Sequence, residues 1–175
     1  MFSVLLFGGI ALYIVRQIPG YSFYTTTLSQ SIFLLQDSKM IALFKYNFLL
    51  KGVLDFVFVL YVIQKLRIPL FSFFAFVMLL SPVLFASLAY FTEKRHKMRH
   101  YITTYASGLL WFIGALYLAW FVRDAYFFQI TVMITILSLG MAFLAQIIRR
   151  TNILVQITCV AMMWLWVVLF VVKFL

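Results

Sequence analysis

IALFKYNFLLKGVLDFVFVLYVI, residues 41–63, decides what class of protein this is, because the stretch is both long and apolar. An α-helix needs about 20 mainly apolar residues to cross the hydrocarbon core of a bilayer. The stretch nevertheless contains charged side chains, and Lys or Asp at the centre of a spanning helix costs about 2.5–3.5 kcal/mol. We therefore expect a transmembrane helix whose polar stripe is covered by other helices or by water.

The polar residues of this helix fall on one side of it. At ~100° per residue, Asn47, Lys51 and Asp55 lie within an arc of roughly 80°. Lys51 and Asp55 are one helical turn apart, within reach of each other. Two interpretations are open: a neutralised ion pair that orients the helix, and a polar pocket or ion path.

The composition places the whole chain in the membrane class. Of its 175 residues, 66% are hydrophobic and only 10% are charged, whereas about a quarter of the residues in soluble domains are charged. The mean hydropathy of +1.11 indicates that apolar spans dominate and loops are short, which predicts a single integral membrane domain. The net charge of +10 comes from cations at the ends of spans, so it favours membrane topology over nucleic-acid binding.

The breaks in the apolar pattern predict an all-α fold, a polytopic transmembrane bundle of six helices. In the third helix, Pro82 should produce a kink, and the Ser81 hydroxyl should partly compensate for the lost backbone hydrogen bond. The six helices are predicted at about 2–15, 41–63, 70–91, 101–122, 125–148 and 153–174.

The connection between the first two helices is the longest in the chain. Within it, Leu28, Ile32 and Leu35 share one face at helical spacing. We therefore expect an amphipathic interfacial segment at about 25–36, with a surface loop as the alternative.

The distribution of Lys and Arg predicts the orientation. Loops 16–40, 92–100 and 149–152 lie on one side and carry eight of the 14 cations, whereas the opposite side carries four. Because cytoplasmic loops are enriched in Lys and Arg, we expect these three loops to be cytoplasmic, in a plasma or inner membrane.

TEKRHKMRH, residues 92–100, is the most polar stretch and the main candidate for a binding site. Its cations favour an anion over a divalent metal ion. We therefore expect an anionic lipid headgroup to be bound by this hinge together with the next turn on the same side. The candidate residues are Arg95, His96, Arg99, His100, Arg149 and Arg150.

The same hinge could hold a metal ion instead. Glu93, His96 and His100 are spaced i, i+3 and i+7, and two histidines with a carboxylate can bind a metal that activates water. The sequence has no HExxH motif, nucleophile elbow, or phosphate- or dinucleotide-binding loop, so no cofactor is expected. A solvated hinge that only sets topology is the third interpretation.

Polar stripes on the second, fourth and sixth predicted helices open toward the same side of the membrane. The last of them begins at Arg149 and continues through Asn152 and Gln156. This coincidence predicts a shared polar vestibule between the three helices, roofed by residues 21–36. A packed bundle with incidental polar contacts is the alternative.

Short motifs recur in an order that resembles a known group of membrane proteins. They are PGYS at 19–22, TLS at 27–29, ALFKYNFLLKG at 42–52, RHKMRH at 95–100, and an Arg149-Arg150 turn before a Trp-bearing last helix. The order resembles an uncharacterised six-helix integral membrane family of bacteria and archaea, distantly similar to the DRAM/Sfk group of lipid-associated membrane proteins. The matching positions are Tyr21, Ser22, Thr27, Ser29, Asn47, Gly52, His96, His100 and Arg149.

The resemblance implies a six-helix architecture and no particular activity. The chain departs from the family pattern at Phe23, where a proline is expected, and at Gln30, where an acidic residue is expected. The missing carboxylate puts an acid–base or metal role of this loop in doubt.

The predicted function is that of a non-enzymatic integral membrane protein. It would bind membrane lipid headgroups, or act as a structural subunit of a membrane complex or a homo-oligomer. Two alternatives stay open: an intramembrane metal-dependent hydrolase that uses the hinge, and a small carrier or proton path through Lys51 and Asp55.

Overall fold

The computed structural model describes residues 2–24, 26–147 and 153–175 of the chain. Within these ranges all regular secondary structure is α-helical and there is no strand, so the all-α prediction is confirmed. The helices are α1 (Phe2–Arg16), α2 (Ser31–Leu34), α3 (Ser38–Lys65), α4 (Phe73–Ser87), α5 (Lys97–Phe121), α6 (Ala125–Ile147) and α7 (Ile153–Phe174).

Four of these helices, α3, α5, α6 and α7, are long and apolar enough to cross a membrane, with spans of 28, 25, 23 and 20 residues. At ~1.5 Å per residue, even the shortest of the four covers about 30 Å, the thickness of a hydrocarbon core. Helices α1 and α4 have 15 residues each, or ~22 Å. By length, the described residues therefore contain four helices that could span a membrane, and the predicted count of six is not confirmed.

Helix α4 is shorter than the predicted 70–91 at both ends. At its start, the Ser72 hydroxyl accepts a hydrogen bond from the Ala75 N–H at 3.2 Å, which makes Ser72 the N-cap. At its end, the backbone changes to tight turns, in which the Tyr90 N–H donates to the Ser87 carbonyl at 2.9 Å. Both ends depend on local hydrogen bonds that hydropathy does not reveal.

Helix α3 begins earlier than predicted, because the Asp37 side chain accepts the Lys39 N–H at 2.9 Å and caps the helix. Helix α5 also begins early, at Lys97. The polar stretch 92–100 is consequently divided: residues 97–100 are helical, and residues 92–96 form a turn.

The main helix contacts follow the chain: α1 packs on α3, α3 on α4, α4 on α5, α5 on α6, and α6 on α7. The packing is antiparallel. Phe48 of α3 stacks on Phe85 of α4 with ring centroids 5.4 Å apart, and further along the pair Gly52 lies against Pro82. Helices α3 and α5 therefore run in the same direction, on either side of α4.

The buried core consists of two apolar clusters at opposite ends of these helices. One lies at the end where α1 and α2 meet α3, and it contains Phe7, Ile14, Ile18, Ile32, Leu35, Phe44, Phe48, Leu88 and Ala89. The other lies at the α5–α6 turn, and it contains Val62, Ile63, Ile68, Ala75, Met78, Ala115, Leu118, Ala119, Phe127, Ile134, Trp166 and Phe170.

The predicted amphipathic segment, 25–36, has only one short helix among its described residues, the four-residue α2. Ile32 and Leu35 are buried in the first apolar cluster and Leu28 packs against it. Phe33, in contrast, is 47% exposed. The segment is therefore fixed to the helix ends by individual apolar side chains rather than by a continuous helical face.

Candidate functional site

The basic hinge, residues 94–99, projects a cluster of cations from the start of α5. The backbone turns tightly here, because the His96 N–H donates to the Thr92 carbonyl at 2.9 Å. Every side chain of the basic hinge is exposed; the residues are Lys94, Arg95, His96, Lys97, Met98 and Arg99. The guanidinium of Arg99 lies 5.9 Å from the centre of the Phe91 ring, a cation–π contact.

Glu93, directly before these cations, is turned away from them. Its side chain is only 6% exposed. One carboxylate oxygen accepts a hydrogen bond from the Tyr101 hydroxyl at 2.7 Å, and the other accepts one from the Ser29 hydroxyl at 3.1 Å. Neutral hydroxyls thus satisfy the only carboxylate of the hinge.

The chain has four acidic residues in all, and the other three are also engaged away from the basic hinge. The two ion pairs among the described residues are Lys51–Asp55 and Lys173–Asp124. Asp37 caps α3. No carboxylate of the chain therefore neutralises the cations of the basic hinge within the described structure.

The two histidines of the hinge have different environments. His96 is exposed. His100 is 5% exposed, and its Nδ1 donates to the Phe91 carbonyl at 2.7 Å, which ties the start of α5 to the turn after α4. His100 is thus withdrawn from the exposed group to which the sequence assigned it.

The alternative metal set does not assemble. Among the described residues, no three His, Cys, Asp or Glu side chains lie where they could hold a metal ion. The i, i+3, i+7 spacing assumed one continuous helix, but α5 begins only at Lys97, so Glu93 and His96 belong to a turn. Helical periodicity does not apply to them.

Residues 27–30, which we call the TLSQ turn, close on themselves. The Thr27 N–H donates to the Gln30 side-chain oxygen at 3.1 Å, and the Gln30 N–H donates to the Thr27 hydroxyl at 3.2 Å. This reciprocal pair has the form of a capping box. Both bonds join residues of the turn itself.

The TLSQ turn also joins two distant parts of the protein. The Leu28 N–H donates to the Gln156 side-chain oxygen of α7 at 3.0 Å, and Ser29 donates to Glu93 as described above. The turn therefore connects α7 to the hinge, and it helps to hold Glu93 in its buried position.

In the loop before this turn, Tyr21 is partly buried. Its hydroxyl donates to the Thr26 carbonyl at 3.3 Å. Burial raises the pKa of Tyr21 to about 12, so the phenol stays protonated and able to donate at all physiological pH values.

Lys51 and Asp55 of α3 form an ion pair. The carboxylate also accepts the Ser3 hydroxyl of α1 at 2.6 Å, and the Lys51 ammonium lies 4.7 Å from the centre of the Phe85 ring of α4. Side-chain exposures are 13% for Lys51 and 28% for Asp55. The pair is thus covered by the neighbouring helices α1 and α4.

Asn47 lies on the same stripe but has a separate partner. Its side-chain amide is buried and donates to the backbone carbonyl of Phe7 in α1 at 3.0 Å. Polar groups of α3 therefore contact α1 at two levels, through Asn47 and through Asp55.

The expected vestibule between predicted helices two, four and six, now α3, α5 and α7, is not formed by the described residues. The extensive helix contacts connect none of these three helices to one another, and the ring contact between Trp111 of α5 and Trp166 of α7 is apolar. Their polar side chains face different neighbours: α3 faces α1 and α4, Ser107 of α5 donates to Ser81 of α4 at 3.0 Å, and Gln156 of α7 meets the TLSQ turn. Sequential antiparallel packing separates the stripes.

Several partners in these contacts were not identified from the sequence. Ser3 lies in an apolar helix, and Tyr101 stands at the predicted start of the fourth helix. Neither has a sequence signal that pairs it with its carboxylate, because the pairing depends on tertiary packing and on the turn at 92–96. The predicted contacts Arg149 and Arg150 lie outside the described residues, as does Asn152.

No protein-family model, no curated protein and no solved structure matches this chain.

Proposed function

We propose that this chain is a non-enzymatic integral membrane protein that binds anionic phospholipid headgroups through its basic hinge. One observation carries the proposal: the hinge exposes its cations while its own carboxylate, Glu93, is buried and satisfied by hydroxyls. Cations without an internal partner, next to a candidate membrane span, are suited to an external anion.

The strength of such a site can be approximated from the charges. A Lys or Arg close to an anionic membrane surface contributes about 1 kcal/mol, and removing two arginines should therefore weaken binding by roughly thirtyfold at low salt. The exposed position of the hinge also means that salt should screen the attraction.

We further propose that α1 and α4 complete a bundle of six membrane-inserted helices. Helices α3 and α5 run in the same direction, so the segment between them has to return across the membrane if both are spans. Helix α4 and its flanking turns provide that return, with Ser72 and Ser87 as its limits. Helix α1 lies antiparallel on α3, with Ser3 at the level of Asp55.

Charge asymmetry supports an orientation with the basic hinge in the cytoplasm. Loops 16–40, 92–100 and 149–152 would then be cytoplasmic and the membrane a plasma or inner membrane. In this orientation the basic hinge meets the anionic leaflet that is typical of cytoplasmic surfaces.

A second candidate function, as a subunit of a membrane complex or a homo-oligomer, is favoured by α7. Only 11% of the 18-residue apolar stretch of α7 is buried within the protein, whereas 28–39% of the corresponding stretch is buried in each of the other three candidate spans. Light scattering of the protein purified in mild detergent checks this candidate, for which we expect a mass above that of one chain. A monomeric mass without a co-purifying protein would contradict it.

The test of lipid binding compares the wild type with Arg95→Ala/Arg99→Ala. Both are purified in mild detergent from membranes that contain anionic and zwitterionic phospholipid, and the phosphatidylglycerol retained per protein is measured. We expect the double variant to lose most of the phosphatidylglycerol and to keep its phosphatidylcholine.

Two controls accompany this test. Lys65→Ala/Arg67→Ala removes two exposed cations from the end of α3 and should retain phosphatidylglycerol as the wild type does. Arg95→Lys/Arg99→Lys keeps the charge and should largely restore retention. An unchanged phosphatidylglycerol content in Arg95→Ala/Arg99→Ala would contradict the proposed function.

A further inference from the structure

An exposed apolar stripe runs down α5 directly from the basic hinge. Its four members are 72%, 60%, 54% and 54% exposed, in the order Met98, Ile102, Tyr105 and Leu109. They are spaced i, i+4, i+7 and i+11, so they lie within ~60° on the helix. The other face of α5 buries His100, Thr103 and Ser107. This stripe, which we call the α5 lane, therefore points away from the helices that pack on α5.

The length of the α5 lane matches one leaflet of a bilayer. From Met98 to Leu109 the helix rises ~16 Å, and half of a hydrocarbon core is about 15 Å. The upper end of the lane lies in the basic hinge, where Arg99 follows Met98 in the first turn of α5. A lipid whose headgroup is held at the hinge would therefore have one acyl chain in register with the whole lane.

Tyr105 is the one residue of the α5 lane with a polar group. Among the described residues, no hydrogen bond is formed by its hydroxyl, although the helix places it below the headgroup level. A hydroxyl without a partner in hydrocarbon is unfavourable. Side chains on a helix point toward its N-terminus, so the Tyr105 hydroxyl is directed toward the hinge. The glycerol ester carbonyls of a phospholipid lie in that region, between headgroup and acyl chain.

We propose that the basic hinge and the α5 lane form a single site for a diacyl anionic phospholipid. Arg95 and Arg99 bind the phosphate, Tyr105 donates to a glycerol ester carbonyl, and one acyl chain lies along Ile102 and Leu109. The inference rests on the proposed lipid-binding function and adds the ligand class: an anionic lipid with ester-linked chains, rather than a soluble phosphate.

The test uses two photoactivatable lipids with the same diazirine-bearing acyl chain, one a phosphatidylglycerol and the other a phosphatidylcholine. Each is incorporated into vesicles with the full-length protein, and labelled peptides are located by mass spectrometry. We expect the phosphatidylglycerol probe to label residues 102–109 several-fold more than the phosphatidylcholine probe does. Arg95→Ala/Arg99→Ala should remove this difference, and Lys65→Ala/Arg67→Ala should keep it.

The ester contact is tested by Tyr105→Phe. The matched control is Tyr46→Phe, which changes an exposed tyrosine on a different helix, α3. Losing one hydrogen bond should weaken phosphatidylglycerol binding by about fivefold, while Tyr46→Phe should leave it unchanged. Inorganic phosphate and glycerol 3-phosphate, added in excess, should not displace the lipid.

The outcomes distinguish a failure of the α5 lane proposal from a failure of the proposed lipid-binding function. Suppose that both probes label residues 102–109 equally, while phosphatidylglycerol retention still depends on Arg95 and Arg99. This result would contradict the acyl-chain site on the α5 lane and would leave headgroup binding by the basic hinge supported. Displacement by glycerol 3-phosphate would also contradict the acyl-chain site. Retention that does not depend on the two arginines would overturn both proposals.

Discussion

Gly52 allows α3 and α4 to approach more closely than any side chain would permit. A Cβ at this position would lie 2.5 Å from the Cβ of Ala86 and 2.7 Å from the carbonyl oxygen of Pro82. Small residues of this kind are typical of helix interfaces in membranes, where close van der Waals packing replaces the hydrophobic driving force.

The substitution Gly52→Ala should destabilise the fold by about 1–3 kcal/mol, because the backbone of α3 or α4 has to move. The control is Gly140→Ala in α6, where an added Cβ would meet nothing within 4 Å; this change should be neutral or slightly stabilising, since Ala favours helix over Gly. Thermal unfolding in detergent, followed by circular dichroism, measures both. Equal melting temperatures for the two variants would contradict the close contact.

The pair Asp124–Lys173 should make the stability dependent on pH. The Lys173 ammonium, 2.7 Å away, together with the Phe127 N–H, holds the pKa of the Asp124 carboxyl below its ordinary value. A lowered pKa contributes stability that is present above the ordinary pKa and is lost as the pH falls through the folded-state pKa, below about pH 4.

We expect Lys173→Gln to lower the melting temperature slightly at pH 7, and the difference from the wild type to shrink below about pH 4. Lys65→Gln, which removes an exposed lysine outside the two ion pairs found in the described structure, is the control and should show no such dependence. A difference that stays constant between pH 3 and pH 7 would show that the ion pair does not contribute.

At the scale of the helices, α4 and α5 are joined by a reciprocal pair of hydrogen bonds. The Ser81 hydroxyl donates to the Ser107 carbonyl, and the Ser107 hydroxyl donates to the Ser81 carbonyl, each at 3.0 Å. The expectation that Ser81 would compensate for the backbone bond lost at Pro82 is therefore wrong. The hydroxyl serves the neighbouring helix instead, because close packing brings the α5 backbone within its reach.

A double-mutant cycle tests this pair. Ser81→Ala and Ser107→Ala should each destabilise the protein, with a coupling of about 0.6 kcal/mol and no more than ~1.7 kcal/mol, the range measured for such bonds in membranes. Ser87→Ala is the control, since its hydroxyl bonds within α4, to Leu84 at 2.7 Å, and it should show no coupling to Ser107→Ala. Additive effects of Ser81→Ala and Ser107→Ala would contradict the reciprocal pair.

At the scale of the whole molecule, the direction of each helix determines which loops share a side. Phe71, in the turn before α4, and Lys97, at the start of α5, are both exposed and lie beyond opposite ends of α4. If α4 and its flanking turns cross the membrane, these two positions face opposite compartments.

Cysteine labelling in sealed vesicles checks the crossing. In a Cys159→Ala background, which removes the chain's only cysteine, Phe71→Cys and Lys97→Cys should react with an impermeant maleimide from opposite sides. Arg123→Cys, in the α5–α6 turn, should react from the same side as Phe71→Cys. Labelling of positions 71 and 97 from one side would mean that α4 does not cross.

The all-α class, the positions of the long helices and the basic hinge follow from the sequence by itself. Hydropathy, turn residues and charge act locally, so they can be read along the chain without knowledge of any neighbour. Helical periodicity also located the stripe of Asn47, Lys51 and Asp55 from the sequence, because all three residues lie within the continuous helix α3.

Only the tertiary structure decided which group each polar side chain meets. Ser3 reaches Asp55 because α1 packs antiparallel on α3, and Glu93 reaches Tyr101 because residues 92–96 leave helical geometry before α5 begins. Such pairings depend on distances between elements and on the ends of helices. Hydrogen bonds that fix those ends, such as the Ser72 cap of α4, are short-range and specific. A hydropathy pattern therefore does not predict them.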